Sequence, residues 1–400
     1  MQAPVRHAHI DVLRGVAVFG ILVVNIWSFA WGFGSLRYGV LPDAATLADR
    51  ATVFGIAFLA EQKFYPIFAF LFGASFALQT ASFRSRLPDW SSVRGRYRRR
   101  LAALLLLGIM HGTLVWAGDI LTIYGSVGFL IVGLAGARRS SVGIHLWNWS
   151  VVWLVLIACN AAMALTAYAD SDPYTLGARL AGEARSAHVA YAYGSLGQHF
   201  IQRLIDYLAV SMNSLFMVPH VLVLFLLGIF AVRAGWLTEP LRHADLWRRV
   251  RASGYAVGIP FNLLWAWVVL TETANPFNAD AFGLTVYSLL PLGGSFLAAA
   301  YVASIMLAAA GRPAWPQRWL APVGRMALTS YLTQSVIGVV LLQGIGLGWA
   351  RHVAAAPALL LPVLALIMLC QVLFSRWWLS GHAQGPVESM MSRYVGRGPS

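Results

Sequence analysis

Charge is what this sequence has least of. Charged residues are 11% of its 400 positions, where a soluble domain carries roughly 25%. A soluble chain of this length still needs a charged surface over its core, and this one cannot supply it. Lysine is nearly missing: Lys63 is the only one, so the basic excess is almost all arginine. The two cysteines, Cys159 and Cys370, sit in apolar stretches without a CxxC partner. That excludes a disulfide framework and a cysteine-based zinc site, and no metal is expected. Alternation over ten-residue segments is missing too, which speaks against a membrane β-barrel. No Pro/Ser-rich linker and no internal repeat divides the chain, so 1–400 reads as a single polytopic membrane domain. The first apolar stretch runs past the length of a signal-peptide core and ends in no small-residue cleavage site.

Hydrophobic residues make up 59% of the chain. They form long blocks nearly free of charge, the length that crosses a bilayer as a helix. The fold class is therefore an all-α integral membrane protein of about ten transmembrane helices. The expected segments are 10–33, 51–79, 101–117, 120–136, 145–168, 203–232, 248–270, 283–309, 322–346 and 356–378. The second holds Glu61, Gln62, Lys63 and Pro66, which predicts a broken or re-entrant span. The third and fourth share a tight turn at 116–119. With both termini in the cytoplasm, twenty-two of the 29 Lys and Arg fall on the cytoplasmic side and seven on the other, Arg37 and Arg203 among them. This is the positive-inside asymmetry, and it predicts a bacterial cytoplasmic membrane protein. The net charge of +14 then belongs to loops that touch anionic lipid, not to a nucleic-acid partner. The arginine-rich stretch 94–100 can also meet a phosphate-bearing ligand.

Polar groups inside a membrane are costly, so each is a functional hypothesis, set against a helix-to-helix hydrogen bond. The first span carries Asp11, Arg14 and Asn25. Asp11 is three residues before Arg14 and can pair with it. Asn25 is eleven residues after Arg14, on the same helix face and roughly 16 Å further along. Gly15 and Gly20 permit close helix approach. Lys63 follows Glu61 and Gln62 and reads equally as a site residue or as an interfacial anchor. His111 precedes Asp119 by eight residues across a hairpin, a spacing that lets a carboxylate orient a histidine for proton transfer. His220, after Pro219, is the rival histidine and has no carboxylate nearby in sequence. Gln334 and Gln371 read as hydrogen-bonding partners between helices. Arg325 stands at the start of the ninth span.

The run from Asp11 to Ala17 with Gly20 to Asn25 resembles the opening of the YeiB-like membrane proteins, the family called domain of unknown function 418. The resemblance continues through Lys63-Phe64-Tyr65, Phe70 to Gly73, His111-Gly112 and Gly118 to Leu121. It runs on through Val323 to Tyr331 and ends at Gln384 to Glu388. This family is similar to the wider transmembrane acyltransferase superfamily, which includes the acyltransferase-3 proteins and the lysosomal heparan glucosaminide N-acetyltransferase. Those relatives move an acyl group from cytoplasmic acyl-CoA to an acceptor across the membrane. The chain departs from them in one respect. Asn25 stands where acyltransferase-3 proteins carry a first-span histidine, and Leu36 stands where the heparan enzyme carries one.

The resemblance implies a membrane acyltransferase with acyl-CoA, acetyl-CoA among the choices, as co-substrate. The acceptor is a small molecule or glycan bearing a hydroxyl or amine. His111 is expected to be the general base, oriented by Asp119, with Asn25 on the developing oxyanion. Asp11, Arg14, Lys63 and Arg325 are assigned to the CoA end. The extracytoplasmic segment 169–202, with Tyr168, Tyr191, Tyr193, His188 and His199 in or beside it, can stack on a sugar or lie at the interface. Membrane lipid and a second copy, as a homodimer, complete the expected partners. The alternative is a transporter or exporter with the same polar tunnel, against which count the lack of an inverted repeat and of paired broken helices.

Overall fold

The computed structural model describes residues 7–33, 40–41, 43–167, 172–275, 280–309, 315–354 and 356–396. Leu36, Tyr168 and four of the tallied arginines (Arg6, Arg37, Arg312 and Arg397) lie outside them. Among the described residues there are helices and turns and no strand. The helices are α1 (Ala8–Trp31), α2 (Leu47–Leu59), α3 (Phe64–Arg84), α4 (Trp90–Leu114), α5 (Leu121–Ile131), α6 (Arg139–Ala167), α7 (Pro173–Tyr193) and α8 (Leu196–Arg233). After them come α9 (Ala244–Ala274), α10 (Ala281–Ala309), α11 (Trp315–Arg325), α12 (Ala327–Leu342), α13 (Ala350–Val353), α14 (Leu360–Gly381) and α15 (Pro386–Gly396).

Each of the ten expected segments contains a helix, but not all of them are full crossings. Among the described residues seven segments are long and apolar enough to span a membrane, or eight if the bent α11 and α12 pair counts as one. The two that fall short are α4 and α5. The apolar part of α4 begins only at Leu101, after five arginines, and α5 with its 3-10 turn ends at Leu134. At 1.5 Å per residue each apolar piece reaches about 21 Å, against roughly 30 Å of hydrocarbon. They form a short hairpin instead.

Two segments are interrupted. Residues 60–63 separate α2 from α3, as the Glu61 to Pro66 cluster led one to expect, and Gln62 there has φ 60°. A non-glycine residue in the left-handed region is held there by its surroundings. The second interruption corrects the sequence reading, which saw no paired broken helices: α11 and α12 meet at 84°. The bend at Met326 leaves the first N–H groups of α12 without helical partners. Glu388 of α15 satisfies them, accepting from Leu328 N at 2.8 Å and Thr329 N at 3.1 Å, and from the Thr329 hydroxyl.

α1 is the hub. It packs on α3, α7, α10, α11, α12, α13 and α14, which is why it is apolar on every side. Its approach to α11 is backbone to backbone. A Cβ on Gly15 would collide with the Leu320 carbonyl, and one on Gly324 with that of Asp11. α6 is the opposite case: 11% of its apolar window is buried, against 83% for α1. The rest of α6 is left for lipid. The expected pair Gln334 and Gln371 is formed, Gln334 Nε2 donating to Gln371 Oε1 at 2.8 Å between α12 and α14.

Candidate functional site

The turn between α4 and α5 is built around Asp119. Its Oδ2 accepts from the Thr122 amide at 2.7 Å and the Thr122 hydroxyl at 2.8 Å, which caps the start of α5. Gly108 makes room for this turn, since a Cβ there would stand 2.5 Å from Thr122 N and 2.7 Å from Asp119 Oδ2. Asp119 Oδ1 faces His111 Nδ1 at 2.9 Å, with both side chains buried. Tyr331 of α12 pins the same turn, accepting from Ile120 N at 3.2 Å and donating to Gly118 O at 3.3 Å. Its ring lies 5.3 Å from that of His111.

This network fixes the chemistry of the histidine. Beside a carboxylate already serving as acceptor to Thr122, His111 Nδ1 is the donor. Nε2 then carries the lone pair, the arrangement in which an acidic residue orients an imidazole base. Nε2 makes no hydrogen bond among the described residues.

Asp119 lines a cavity of about 160 Å³ enclosed by α1, α3, α5, α8 and the residues of the α2/α3 interruption. Asn25 lines the same space, with Gln62, Tyr65, Tyr124 and Ser214. The cavity thus brings Asn25 and Asp119 together from separate helices, with His111 directly behind Asp119. Among the described residues no arginine or lysine lines it. Its size is below the roughly 300–1,000 Å³ of a pocket for a drug-sized ligand. It has room for a small group, less than a whole glycan or coenzyme needs.

The residues assigned to the CoA end divide. Arg14 donates to Asp11 Oδ1 at 2.8 Å and to the Ser75 hydroxyl at 2.8 Å. Arg325 adjoins Gly324, which packs on the Asp11 carbonyl, and donates to Ala383 O at 3.1 Å. Asp11, Arg14 and Arg325 therefore share one end of the bundle. Lys63 is not with them. It is fully buried in the α2/α3 interruption, where its Nζ donates to Ala57 O at 2.8 Å. Its neighbour Glu61 accepts from Trp265 Nε1 at 2.8 Å. Ser75 lies twelve residues along from Lys63, roughly 18 Å of helix. Lys63 holds the interruption closed and does not extend the arginine cluster, and its burial leaves no interfacial anchor either.

Two further polar groups have partners that the sequence did not announce. Arg203, tallied there on the extracytoplasmic side, is buried and donates to Leu114 O, the C-terminal end of α4, at 2.8 Å. Close by, Tyr191 donates to Asp206 Oδ2 at 2.8 Å. Burial, then the Asp206 charge, push the Tyr191 phenol well above its ordinary range. The other group surrounds His220. Tyr65 Oη lies 2.6 Å from His220 Nδ1, Ser295 Oγ lies 2.9 Å from Nε2, and Trp153 stacks on the ring at 4.2 Å. These partners stand 155 and 75 residues away, so no local spacing announces them.

The chain matches the family described as Protein of unknown function (DUF418) over residues 231–397. It is 30% identical to YeiB of Escherichia coli (strain K12) over 407 residues, 96% of this chain and 94% of that one. It is 29% identical to YxaH of Bacillus subtilis (strain 168) over 394 residues, 95% and 91% of the two chains. A 39.9 kDa protein encoded in an amylase 3′ region of Bacillus acidopullulyticus is 33% identical over 127 residues, 32% of this chain and 33% of its own.

Proposed function

We propose that this chain, which belongs to the YeiB-like, DUF418 family of membrane proteins, transfers a short acyl group from acyl-CoA to a hydroxyl or amine. The observation that supports this reading best is the wall of the cavity. A buried carboxylate holds a histidine by Nδ1 at 2.9 Å, and an amide from the first helix faces the same space. His111 Nε2 takes the proton from the acceptor, and Asn25 donates to the oxygen that gains charge. One positioned donor at such an oxygen contributes about 3–4 kcal/mol in a dry site. The missing first-helix histidine is replaced by one from α4. A cavity of about 160 Å³ suits an acetyl-sized group and the reacting end of an acceptor. The coenzyme's phosphates stay outside, at the end of the bundle that carries Arg14, Arg325 and the 94–100 arginines. In this reading that end faces the cytoplasm of a bacterial cell, with both chain termini inside.

The test is acyl-CoA binding and turnover by the purified protein. Acetyl-CoA should bind in the micromolar-to-millimolar range, and Arg14→Ala should weaken it. His111→Ala should bind acetyl-CoA normally but transfer about 10²- to 10⁴-fold more slowly. Full transfer by that variant, or no binding by the wild type at millimolar acetyl-CoA, would sink the reading.

A second reading, solute transport, is favoured by the two interrupted segments. Broken helices beside a mid-bundle cavity are how many transporters build a substrate site, and the α2/α3 interruption supplies Ala60 and Gln62 to the cavity wall. Uptake of a labelled solute into vesicles that survives His111→Ala would favour transport.

A further inference from the structure

The wall of the cavity formed by α3 carries a second hydrogen-bonded chain, and its direction can be worked out. Ser295 Oγ lies 2.7 Å from Pro291 O. A carbonyl only accepts, so the Ser295 proton is committed to it. Ser295 Oγ then meets His220 Nε2, 2.9 Å away, as an acceptor. Nε2 is therefore the protonated nitrogen, and Nδ1 carries the lone pair. Across the 2.6 Å contact with Nδ1, the donor is the Tyr65 phenol. Every proton in the chain points away from the cavity, from Tyr65 through His220 and Ser295 to the backbone of α10. Trp153, nearly parallel to the His220 ring at 2° with centroids 4.2 Å apart, fixes the ring's orientation from α6. His220 is 2% exposed, so among the described residues it is shielded from solvent.

We infer that Tyr65 is a hydrogen-bond-accepting contact of the cavity, with His220 as the positioning residue that holds the phenol's proton away from it. The inference rests on the cavity being the acceptor end of the acyl-transfer site. A phenol whose proton is committed to His220 presents its oxygen as an acceptor. The buried Gln62 Oε1, which has no hydrogen-bond partner among the described residues, and the Asp119 carboxylate add two more acceptor groups in lining residues. The matching ligand is a donor, the O–H or N–H of an alcohol or amine. As that group attacks the thioester carbon, the C–O or C–N bond forms and the C–S bond breaks. The attacking group's proton passes to His111 Nε2, while Tyr65 Oη accepts a hydrogen bond from the acceptor's second O–H or N–H and keeps its own proton toward His220 Nδ1. The coenzyme leaves as thiolate and takes the proton that His111 gained. An acceptor that gives one proton to His111 and a hydrogen bond to Tyr65 is a diol or an amino alcohol.

The test uses full-length protein in nanodiscs, labelled with ¹⁵N-histidine. The His220 signals, identified by their loss in His220→Gln, should show protonated Nε2 and a hydrogen-bonded, unprotonated Nδ1. Tyr65→Phe should shift Nδ1 alone. Thiol release from acetyl-CoA, with D-glucosamine as amino-alcohol probe, supplies the functional arm. Tyr65→Phe should raise KM for D-glucosamine by about 3- to 10-fold, the scale of one hydrogen bond, and leave KM for acetyl-CoA within about twofold. His220→Gln should give the same pattern. Protonated Nδ1, or a Tyr65→Phe variant with wild-type KM for D-glucosamine while His111→Ala is impaired, overturns this inference and leaves acyl transfer standing. Wild-type protein that binds no acetyl-CoA and releases no thiol overturns both.

Discussion

The molecule contains two buried histidines beside one cavity, and their surroundings could hardly differ more. His111 faces a carboxylate across 2.9 Å, on a short hairpin that Tyr331 clamps from α12. His220 faces two hydroxyls and an indole, in the middle of the 38-residue helix α8. A carboxylate beside an imidazole stabilises the cation that forms when it takes a proton. Neutral partners do not, and they leave His220 to hold the Tyr65 proton in a direction set by hydrogen bonding alone. The same residue type is thus given two capacities by its neighbours. A histidine's role follows from which nitrogen is held, and by what.

The largest effect expected from breaking this contrast is at the carboxylate. Asp119→Asn keeps the cap on Thr122 but removes the charge behind His111. Acyl transfer should fall by about 10³- to 10⁴-fold, as a wrongly oriented base implies. His111→Ala should fall by about 10²- to 10⁴-fold. The double variant should be no worse than the more damaging single one, because the two side chains act as a unit. Multiplicative losses in a three-way rate comparison would show that they do not. Next in size is Glu388→Ala, remote from both histidines. It strips the cap from α12 and should cost about 0.5–2 kcal/mol, read as a lower melting temperature in detergent with the His111 chemistry intact. An unchanged melting temperature would show that the cap adds nothing. The smallest effect is Ser295→Ala, where one neutral hydrogen bond contributes about 0.5–1.5 kcal/mol. It should loosen the tautomer preference of His220 in ¹⁵N spectra and leave His111 signals unmoved. Movement of both sets would mean that the two walls are coupled.

Much of the scaffold was legible because apolar length and arginine placement are local signals. The Asp11 and Arg14 pair and the His111 and Asp119 pair were legible for the same reason: three and eight residues are distances that a single helix or hairpin closes. The amide pair Gln334 and Gln371 was read from chemistry, since an amide in an apolar helix needs a partner. Lys63 was misplaced because its residue type suggests a ligand for phosphate. Only the packed interruption shows that its Nζ donates to the Ala57 carbonyl. The α11 and α12 bend was hidden because Pro322 lies ahead of it and nothing between Gly324 and Ala327 marks an 84° turn. Tyr65, His220 and Ser295 come from three separate helices, and sequence patterns carry no information about which helices meet.

The Glu388 cap also has a consequence in time. Leu328 and its capping carboxylate are 60 residues apart. At about 5–20 residues per second of synthesis, roughly 3–12 s separate the emergence of α12 from that of its cap. Until then the first turn of α12 must borrow acceptors from water or lipid headgroups. The bend beside Arg325 can lock only late, so assembly of this end of the protein is scheduled by the ribosome as much as by packing.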